Sequence, residues 1–218
     1  MKIYNCEQHC IDGSANPEWL DLRAGKFTGS DFHQYLGLMK TGKLSETATK
    51  SLYKKILENF GYRFDTFQTP AMLTGIEREP QAREAYSFIY GKDVKEVGFV
   101  DKEDLHAGCS PDGIIYDKDG NIKEIVEIKC PSVETFVSYL DPEFMNPDYI
   151  IQCQFNMLIT GADVCHFIVY HPDFNLIVRD IKKDEEIQGK IMAVLEELNP
   201  LYDKMYERIQ NKKLETEA

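Results

Sequence analysis

The first ninety residues place apolar side chains at the three- and four-residue spacings that are typical of amphipathic helices. Asn16-Pro17 is expected to open a helix that ends at Gly25, because an asparagine cap followed by proline suits a helix N-terminus. Further helices are predicted in three segments: a short one that Ser30 caps and that runs through Leu36, one from Ser45 to about Phe60, and one from Pro70 to Tyr90. Residues 40–45 are expected to form a loop, and Pro80 to bend or interrupt the last helix.

From Val94 onward the pattern changes to short apolar runs that are typical of strands. The turn signal Asp117-Lys-Asp-Gly120 lies between two such runs, so Ile114–Tyr116 and Ile122–Cys130 are predicted to form a β-hairpin. The later predicted elements are a short helix at Val133–Leu140, a helix from Asn146-Pro147 to Gly161, strands at Val164–Tyr170 and Leu176–Ile181, and a helix from Asp184 that Pro200 should kink.

This order of helices, strands and helices indicates a mixed α/β (α+β) fold. A chain of 218 residues without repeats or low-complexity linkers is expected to form one domain around one core. The motif-bearing core is predicted at about residues 17–180, and the C-terminal helix at about residues 184–212 is expected to supply packing or subunit contacts.

Composition and charge limit the classes of protein to which this chain can belong. There is no apolar run of the eighteen residues or so that would cross a membrane, and no apolar secretory segment at the start, so a cytoplasmic protein is expected. The six cysteines include no CxxC pair and are expected to be thiols. The net charge of −12 argues against a basic coat for nucleic acid. It permits a nuclease, because carboxylates that hold metal ions count as negative until the metal binds.

The residues that carry chemistry lie in and beside the predicted hairpin. Side chains alternate along a strand, so Glu127 and Lys129 point to one face while Val126 and Ile128 point to the other. Asp112 precedes the partner strand and is expected to reach the same cleft. Two carboxylates and a backbone carbonyl are ligands that Mg²⁺ or Mn²⁺ prefers, and a lysine beside them can orient water or offset charge on a phosphate. The pattern favours metal-dependent phosphodiester cleavage, although Glu-x-Lys alone also occurs in ordinary surface hairpins.

Gln154 is a further candidate, because its neighbours at three and four residues along the predicted helix are all apolar. These neighbours are Ile150, Ile151, Met157 and Leu158. A glutamine on such a face must find polar partners or lower the stability of the protein. Either a polar cleft or a neighbouring backbone group can supply them, and the sequence leaves both open.

Six short motifs stand in an order that is typical of one nuclease family. They are Trp19-x3-Arg23, Thr28-Gly29-Ser30, Gly75-x3-Glu79-Pro-Gln-Ala82-Arg83, Gly108-Cys-Ser-Pro-Asp-Gly113, Glu127-Ile-Lys-Cys-Pro131 and Tyr149-Ile-Ile-Gln-Cys-Gln154. On these motifs the chain resembles the phage lambda exonuclease family, also called YqaJ-type viral recombinases, of the PD-(D/E)XK nuclease superfamily. The resemblance covers about residues 17–170 and implies a central mixed β-sheet flanked by helices.

The resemblance also implies an activity: magnesium-dependent 5′-to-3′ digestion of one strand from the ends of duplex DNA. Such enzymes often act as a homotrimeric ring and can supply the remaining strand to a single-strand-annealing recombinase. Asp112, Glu127 and the Ile128 carbonyl would hold the catalytic metal. Glu79, or Glu77 as the alternative, would bind a second metal, and Lys129 would assist the nucleophilic water. Gln154 would position the water or the phosphate, and Arg23 and Ser30 would bind the terminal 5′-phosphate.

Other functions share part of this pattern. A PD-(D/E)XK endonuclease of the restriction or repair type would use the same metal ligands, but it needs a base-reading element, which the sequence does not reveal. A relative with an iron–sulfur cluster would need four cysteine ligands, some near the C-terminus, whereas the last cysteine here is Cys165. A non-catalytic DNA-end-binding protein is expected to have lost Asp112, Glu127 or Lys129, and all three are present.

Overall fold

The computed structural model describes residues 1–64 and 68–217. The helices in these ranges are α1 (Pro17–Arg23), α2 (Gly29–Phe32), α3 (Leu38–Thr41), α4 (Glu46–Glu58), α5 (Pro70–Tyr90), α6 (Val133–Ser138), α7 (Pro147–Thr160) and α8 (Glu185–Glu217). The strands are β1 (Lys2–Tyr4), β2 (Phe99–Lys102), β3 (Ala107–Cys109), β4 (Gly113–Tyr116), β5 (Ile122–Lys129), β6 (Val164–His171) and β7 (Asn175–Lys182). The predicted mixed α/β fold is confirmed.

The strands form two sheets. A three-stranded antiparallel sheet has the order β1-β2-β3, and its first strand was not predicted. The larger sheet has the order β4-β5-β6-β7, in which β5 and β6 are parallel and the outer pairs are antiparallel. The parallel pair is possible because α6 and α7 form the crossover between its strands. The larger sheet is therefore mixed, as expected.

Helices cover both faces of the four-stranded sheet. One face packs against α7 and α8 in the main hydrophobic core. On the other face, Val126 and Ile128 pack in a second cluster with Ala82 of α5. Because side chains alternate along β5, Glu127 and Lys129 lie on the α7 side of the sheet. The predicted division of this strand into a core face and a polar pair is confirmed.

Most helix starts follow from local capping. The side chains of Asn16, Ser45 and Asn146 accept hydrogen bonds from the first turns of α1, α4 and α7. Gly161 ends α7 with a φ of 77°, in the left-handed region that glycine adopts at low cost. These boundaries agree with the predicted ones because capping depends on residues close together in the sequence.

The predicted cap at Ser30 is wrong. Helix α2 begins at Gly29, and Thr28 occupies the cap position, where its side chain forms no capping hydrogen bond. A close approach to α7 explains this: a Cβ atom at Gly29 would lie 2.5 Å from Asn156 Oδ1 and 3.1 Å from the Gln152 carbonyl. The absence of a side chain at Gly29 therefore allows the start of α2 to touch α7.

The two prolines do not break their helices. Helices α5 and α8 run across Pro80 and Pro200 without interruption. Each proline removes one backbone hydrogen bond, but the packing of buried neighbours such as Tyr86 and Leu198 compensates for that loss. Two predicted boundaries also change: α8 continues to Glu217, and α3 occupies part of the expected loop at 40–45. Among the described residues, no helix is long and apolar enough to span a bilayer.

Candidate active site

The candidate site is built on the hairpin of β4 and β5. Asp112 lies just before β4, and its backbone N–H donates to the Val126 carbonyl at 3.0 Å. Its carboxylate oxygen Oδ2 accepts a hydrogen bond of 2.6 Å from the N–H of Ile128. Glu127, between these two partners on β5, is 1% exposed. The hairpin places both carboxylates in one cavity of about 900 Å³.

Three side chains hold the Glu127 carboxylate in place. Lys129 Nζ donates to Oε1 at 2.6 Å and lies 4.9 Å from the ring centre of Tyr149. Gln152 Nε2 also donates to Oε1, and Asn156 Nδ2 donates to Oε2 at 3.1 Å. Gln152 and Asn156 lie one turn apart on α7, so one face of this helix presents both amides. The orientation of the carboxylate is therefore fixed before any ligand binds.

The two carboxylates are costly to ionise at these positions. Burial, and to a lesser extent the charge of Glu79, raises the pKa of Asp112 to about 7. Burial also raises the pKa of Glu127 to about 7, although the neighbouring Lys129 ammonium opposes the shift. Burial lowers the pKa of Lys129, but Glu127 and Asp112 outweigh it, so this pKa lies above its ordinary value. A divalent cation would offset the excess negative charge of the buried carboxylates.

The donor set suits a hard cation. Within residues 1–64 and 68–217, no group of three or more histidine, cysteine, aspartate or glutamate side chains is arranged to hold a metal ion. Mg²⁺ does not require one, because it commonly takes one or two carboxylates and keeps several waters. Asp112, Glu127 and Ile128 line the same cavity. The residues present therefore fit Mg²⁺ or Mn²⁺, with the Ile128 carbonyl as the expected third ligand.

Glu79 reaches this site, whereas Glu77 does not. Glu79 lines the cavity with Asp112 and Glu127, while Glu77 is exposed and lines only an adjoining cavity, which does not include Glu127. Burial raises the pKa of Glu79, and the charge of Glu127 adds to this shift. Arg83 donates to Glu79 Oε1 at 2.5 Å and to the Asp112 carbonyl at 2.7 Å, so it connects α5 to the hairpin. The geometry therefore favours Glu79 for any second metal.

The same cavity contains a guanidinium that is suited to an anion. Arg23 lies 4.3 Å from the ring centre of Trp19, and both side chains donate to Ser110 Oγ, at 3.2 and 2.8 Å respectively. Arg23 also donates to Thr28 Oγ1 at 3.4 Å, and the hydroxyl of exposed Ser30 lies 3.5 Å from that atom. The structure thus brings Arg23 and Ser30 together, and Ser110, which the sequence did not single out, joins them to the Asp112 segment.

Arg23 differs from the other buried cations of this cavity. Lys26 and Lys55 pair with Asp101 and Asp31, each at 2.9 Å. Arg23 forms no ion pair with a carboxylate in the part of the chain that the structure describes. Burial lowers the pKa of its guanidinium. The guanidinium is therefore free to form a direct ion pair with an anion, although the charges of Asp31 and Glu58 act on it from a longer distance.

Gln154 does not lie at the site, so the positioning role expected for it is wrong. Its side chain is 1% exposed; Nε2 donates to the Lys182 carbonyl at 2.7 Å, and Oε1 accepts from the N–H of Asp184 at 3.0 Å. Gln154 therefore connects the end of β7 to the start of α8. Gln152 is the glutamine that contacts Glu127. The signal in the sequence was the polar i, i+4 pair of Gln152 and Asn156, since an isolated polar residue has no such partner.

The sequence matches the YqaJ-like viral recombinase domain over residues 18–163, a range that contains every residue of the site described above. The chain belongs to this family. The resemblance that the sequence motifs indicated is therefore confirmed. None of the curated proteins compared with this YqaJ-like chain matches it.

Solved exonucleases share the fold of this YqaJ-like protein. The alkaline exonuclease LHK-Exo from Laribacter hongkongensis is 25% identical with a TM-score of 0.79, and the match covers 92% of this chain and 100% of that one. Its complex with dAMP is 26% identical with a TM-score of 0.77 and the same coverage. A phage-related exonuclease from Haemophilus somnus 129PT is 21% identical with a TM-score of 0.65, covering 84% and 96%. The YqaJ-like chain thus has an exonuclease-like structure.

Replacement of Gln152 should affect cleavage, whereas replacement of Gln154 should affect stability. Gln152→Ala is expected to slow cleavage by roughly ten- to a hundredfold, because it removes a hydrogen bond to a charged carboxylate. Gln154→Ala should instead lower the free energy of unfolding by about 1–3 kcal/mol, because Lys182 and Asp184 lose a buried partner. Cleavage rates per folded molecule and urea unfolding curves measure the two effects. Slow cleavage by a folded Gln154→Ala variant would contradict the assignment.

The raised carboxyl pKa values predict a pH-dependent stability in EDTA. Asp112 and Glu127 have folded pKa values of about 7, above their unfolded values, so the folded chain binds protons that the unfolded chain releases. Their contribution is complete near pH 4 and decreases as the pH rises to 7, with a loss on the order of 3–4 kcal/mol for each group. Mg²⁺ should restore stability at pH 8. The same pH slope in an Asp112→Asn/Glu127→Gln variant would exclude these groups as the cause.

Proposed function

We propose that this protein is a metal-dependent exonuclease that degrades the 5′-ended strand from the ends of double-stranded DNA and leaves a 3′ single strand for recombination. One observation carries the proposal: a single cavity contains the carboxylates Asp112 and Glu127, the ammonium of Lys129, and the unpaired guanidinium of Arg23. The first three groups suit phosphodiester hydrolysis, and the last suits a DNA terminus. Membership of the YqaJ-like family and the exonuclease folds support the same function.

In this proposal each residue has a chemical task. Mg²⁺, or Mn²⁺ as a substitute, would be held by Asp112, Glu127 and the Ile128 carbonyl, and Glu79 would serve a second ion. The metal would supply Lewis-acid activation of the phosphate and of water. Lys129 would orient the water and offset charge on the phosphate during attack.

The remaining residues would orient the substrate and the site. Gln152 and Asn156 keep Glu127 in position. Arg23 grips the terminal 5′-phosphate, with the hydroxyls of Ser30 and Ser110 as additional donors. In this proposal the first internal phosphodiester of a strand bound in this way would lie at the carboxylates, and the product would be a 5′-mononucleotide.

The negative net charge affects how the enzyme would remain bound to DNA. A formal charge of −12 gives weak bulk attraction to DNA, so a closed homotrimeric ring around the duplex is proposed as the means of remaining bound. The family resemblance supports this assembly. A trimer mass in light scattering at working concentration is expected, and a monomer mass combined with full processivity would exclude it.

The product strand defines the proposed setting. A 3′ single strand is the substrate of a single-strand-annealing recombinase, which is the proposed partner. The proposed location is the cytoplasm of an infected or phage-carrying bacterial cell, and membership of a viral recombinase family supports it.

The decisive assay compares end-labelled linear duplex with closed circular duplex, each with and without Mg²⁺. Degradation of the linear form alone, only with metal, and with early release of a 5′ label as mononucleotide is expected. Cutting of the circular form would identify an endonuclease. Metal-independent binding of ends without any product would identify a non-catalytic end-binding protein. Early release of a 3′ label would reverse the proposed polarity.

A further inference from the structure

A second cavity adjoins the one that holds the carboxylates. It has a volume of about 680 Å³ and lies between the N-terminal segment 5–13 and helix α5. The two cavities share the lining residues Gln8, His9, Ile76, Glu79 and Asp112. Segment 5–13 therefore reaches the junction of the cavities, beside two of the acidic residues of the site.

The N-terminal segment is fixed at this junction. Gln8 Nε2 donates to the carbonyl of Val97 at 3.0 Å and to the carbonyl of Pro111, the residue before Asp112, at 3.4 Å. The next residue, His9, forms a β-bridge with Ala15. Its ring centre lies 5.8 Å from that of Trp19. These contacts hold the imidazole against the tryptophan on which Arg23 also packs.

The hydrogen-bonding state of His9 follows from its surroundings. Nδ1 is buried without a partner, whereas Nε2 bonds to no residue in the described chain and keeps contact with solvent; the residue itself lines both cavities. A proton on Nδ1 would bury an unpaired N–H group, which favours the tautomer with the proton on Nε2. Burial, and then the charge of Arg23, lowers the pKa of His9, so the ring is neutral at pH 7. The ring thus offers one N–H donor to the cleft.

We propose that His9 is a further substrate-binding residue, which donates a hydrogen bond from Nε2 to the terminal nucleotide of the strand being digested. This inference rests on the proposed exonuclease function. His9, Arg23 and Asp112 line one cavity, so a nucleotide whose 5′-phosphate lay on Arg23 and whose 3′ linkage lay at Asp112 would occupy the cleft that His9 also lines. The acceptor is therefore an oxygen or a ring nitrogen of that nucleotide.

The test uses the mononucleotide dAMP and the single tryptophan of the chain, Trp19, as a fluorescent reporter beside His9. Four proteins are titrated with dAMP: wild type, His9→Phe, His9→Gln and Ile11→Ala. Phenylalanine keeps a ring against Trp19 and removes the donor, while glutamine restores an N–H group at a similar distance from the backbone. Ile11 is fully exposed on the same segment and serves as the control.

We expect His9→Phe to weaken dAMP binding about five- to tenfold, the effect of losing one net hydrogen bond. His9→Gln should recover most of the affinity, and Ile11→Ala should bind as wild type does. The KM for linear duplex should rise by a similar factor, with kcat little changed.

Two results would overturn the inference in distinguishable ways. Wild-type affinity in a folded His9→Phe variant, with normal digestion of linear DNA, would remove His9 from the binding site and leave the exonuclease function intact. Failure of the wild type both to bind dAMP and to digest linear duplex would remove the proposed function and His9 with it.

Discussion

Glu127→Gln is expected to lower the rate of DNA cleavage on the order of a thousandfold while the protein stays folded. Glu127 is the most enclosed acidic residue of the site, and Lys129, Gln152 and Asn156 all donate to its carboxylate. A neutral amide cannot supply the negative charge that a divalent cation needs. The amide is similar in size and avoids a buried charge, so the metal-free fold should tolerate it.

Lys129 needs a more careful substitution. Its truncation to alanine would leave the buried charge of Glu127 without its ammonium partner, which is strongly destabilising. Lys129→Gln removes the charge but keeps an N–H donor for the Glu127 carboxylate, so the variant should fold and lose cleavage to a similar extent. Glu134→Gln, an exposed change on α6, is the control. Single-turnover rates measure cleavage, and circular dichroism spectra show whether each variant is folded. A near wild-type rate in either folded variant would exclude that residue from the mechanism.

Arg23→Ala is expected to slow the digestion of 5′-phosphorylated ends by roughly ten- to over a hundredfold, the effect of losing a hydrogen bond to a charged group. A terminal phosphate carries close to two charges near neutral pH, whereas an internal phosphodiester carries one. A guanidinium without a carboxylate partner therefore favours the terminal phosphate. Such a pocket would also draw the new 5′-phosphate forward after each cut. Arg23→Lys keeps the charge but loses the planar fork, so it should recover only part of the rate.

The measurement for Arg23 is the rate on 5′-phosphoryl and 5′-hydroxyl duplexes. Wild type should digest the 5′-hydroxyl duplex slowly, and Arg23→Ala should change this rate far less than it changes the rate on the 5′-phosphoryl duplex. Arg63→Ala is a matched control, because Arg63 lies at the rim of the same cavity, half-exposed and paired with Asp21. Equal wild-type rates on the two substrates would exclude a 5′-phosphate pocket, whatever the variants did.

The amino-acid sequence by itself determined the elements whose signals are local. Caps such as Asn16 and Asn146, the turn at residues 117–120 and the alternation along β5 involve groups only a few residues apart, so the sequence predicts them without knowledge of the fold. The same alternation placed Glu127 and Lys129 on one face of the sheet. The ordered motifs identified the family.

Only the tertiary structure decided which polar residues of different elements meet. Gln152 and Gln154 are both glutamines on α7, yet one contacts Glu127 and the other the β7–α8 connection, because their directions around the helix differ by about 200°. Glu79 and Glu77 likewise stand on one helix, α5, yet only Glu79 lines the cavity with Glu127. Ser110 stands within one of the ordered motifs and His9 in none, and the sequence assigned no role to either. Their position beside Trp19 results from packing between segments distant in the sequence, where burial and unpaired polar atoms arise only after the chain has folded.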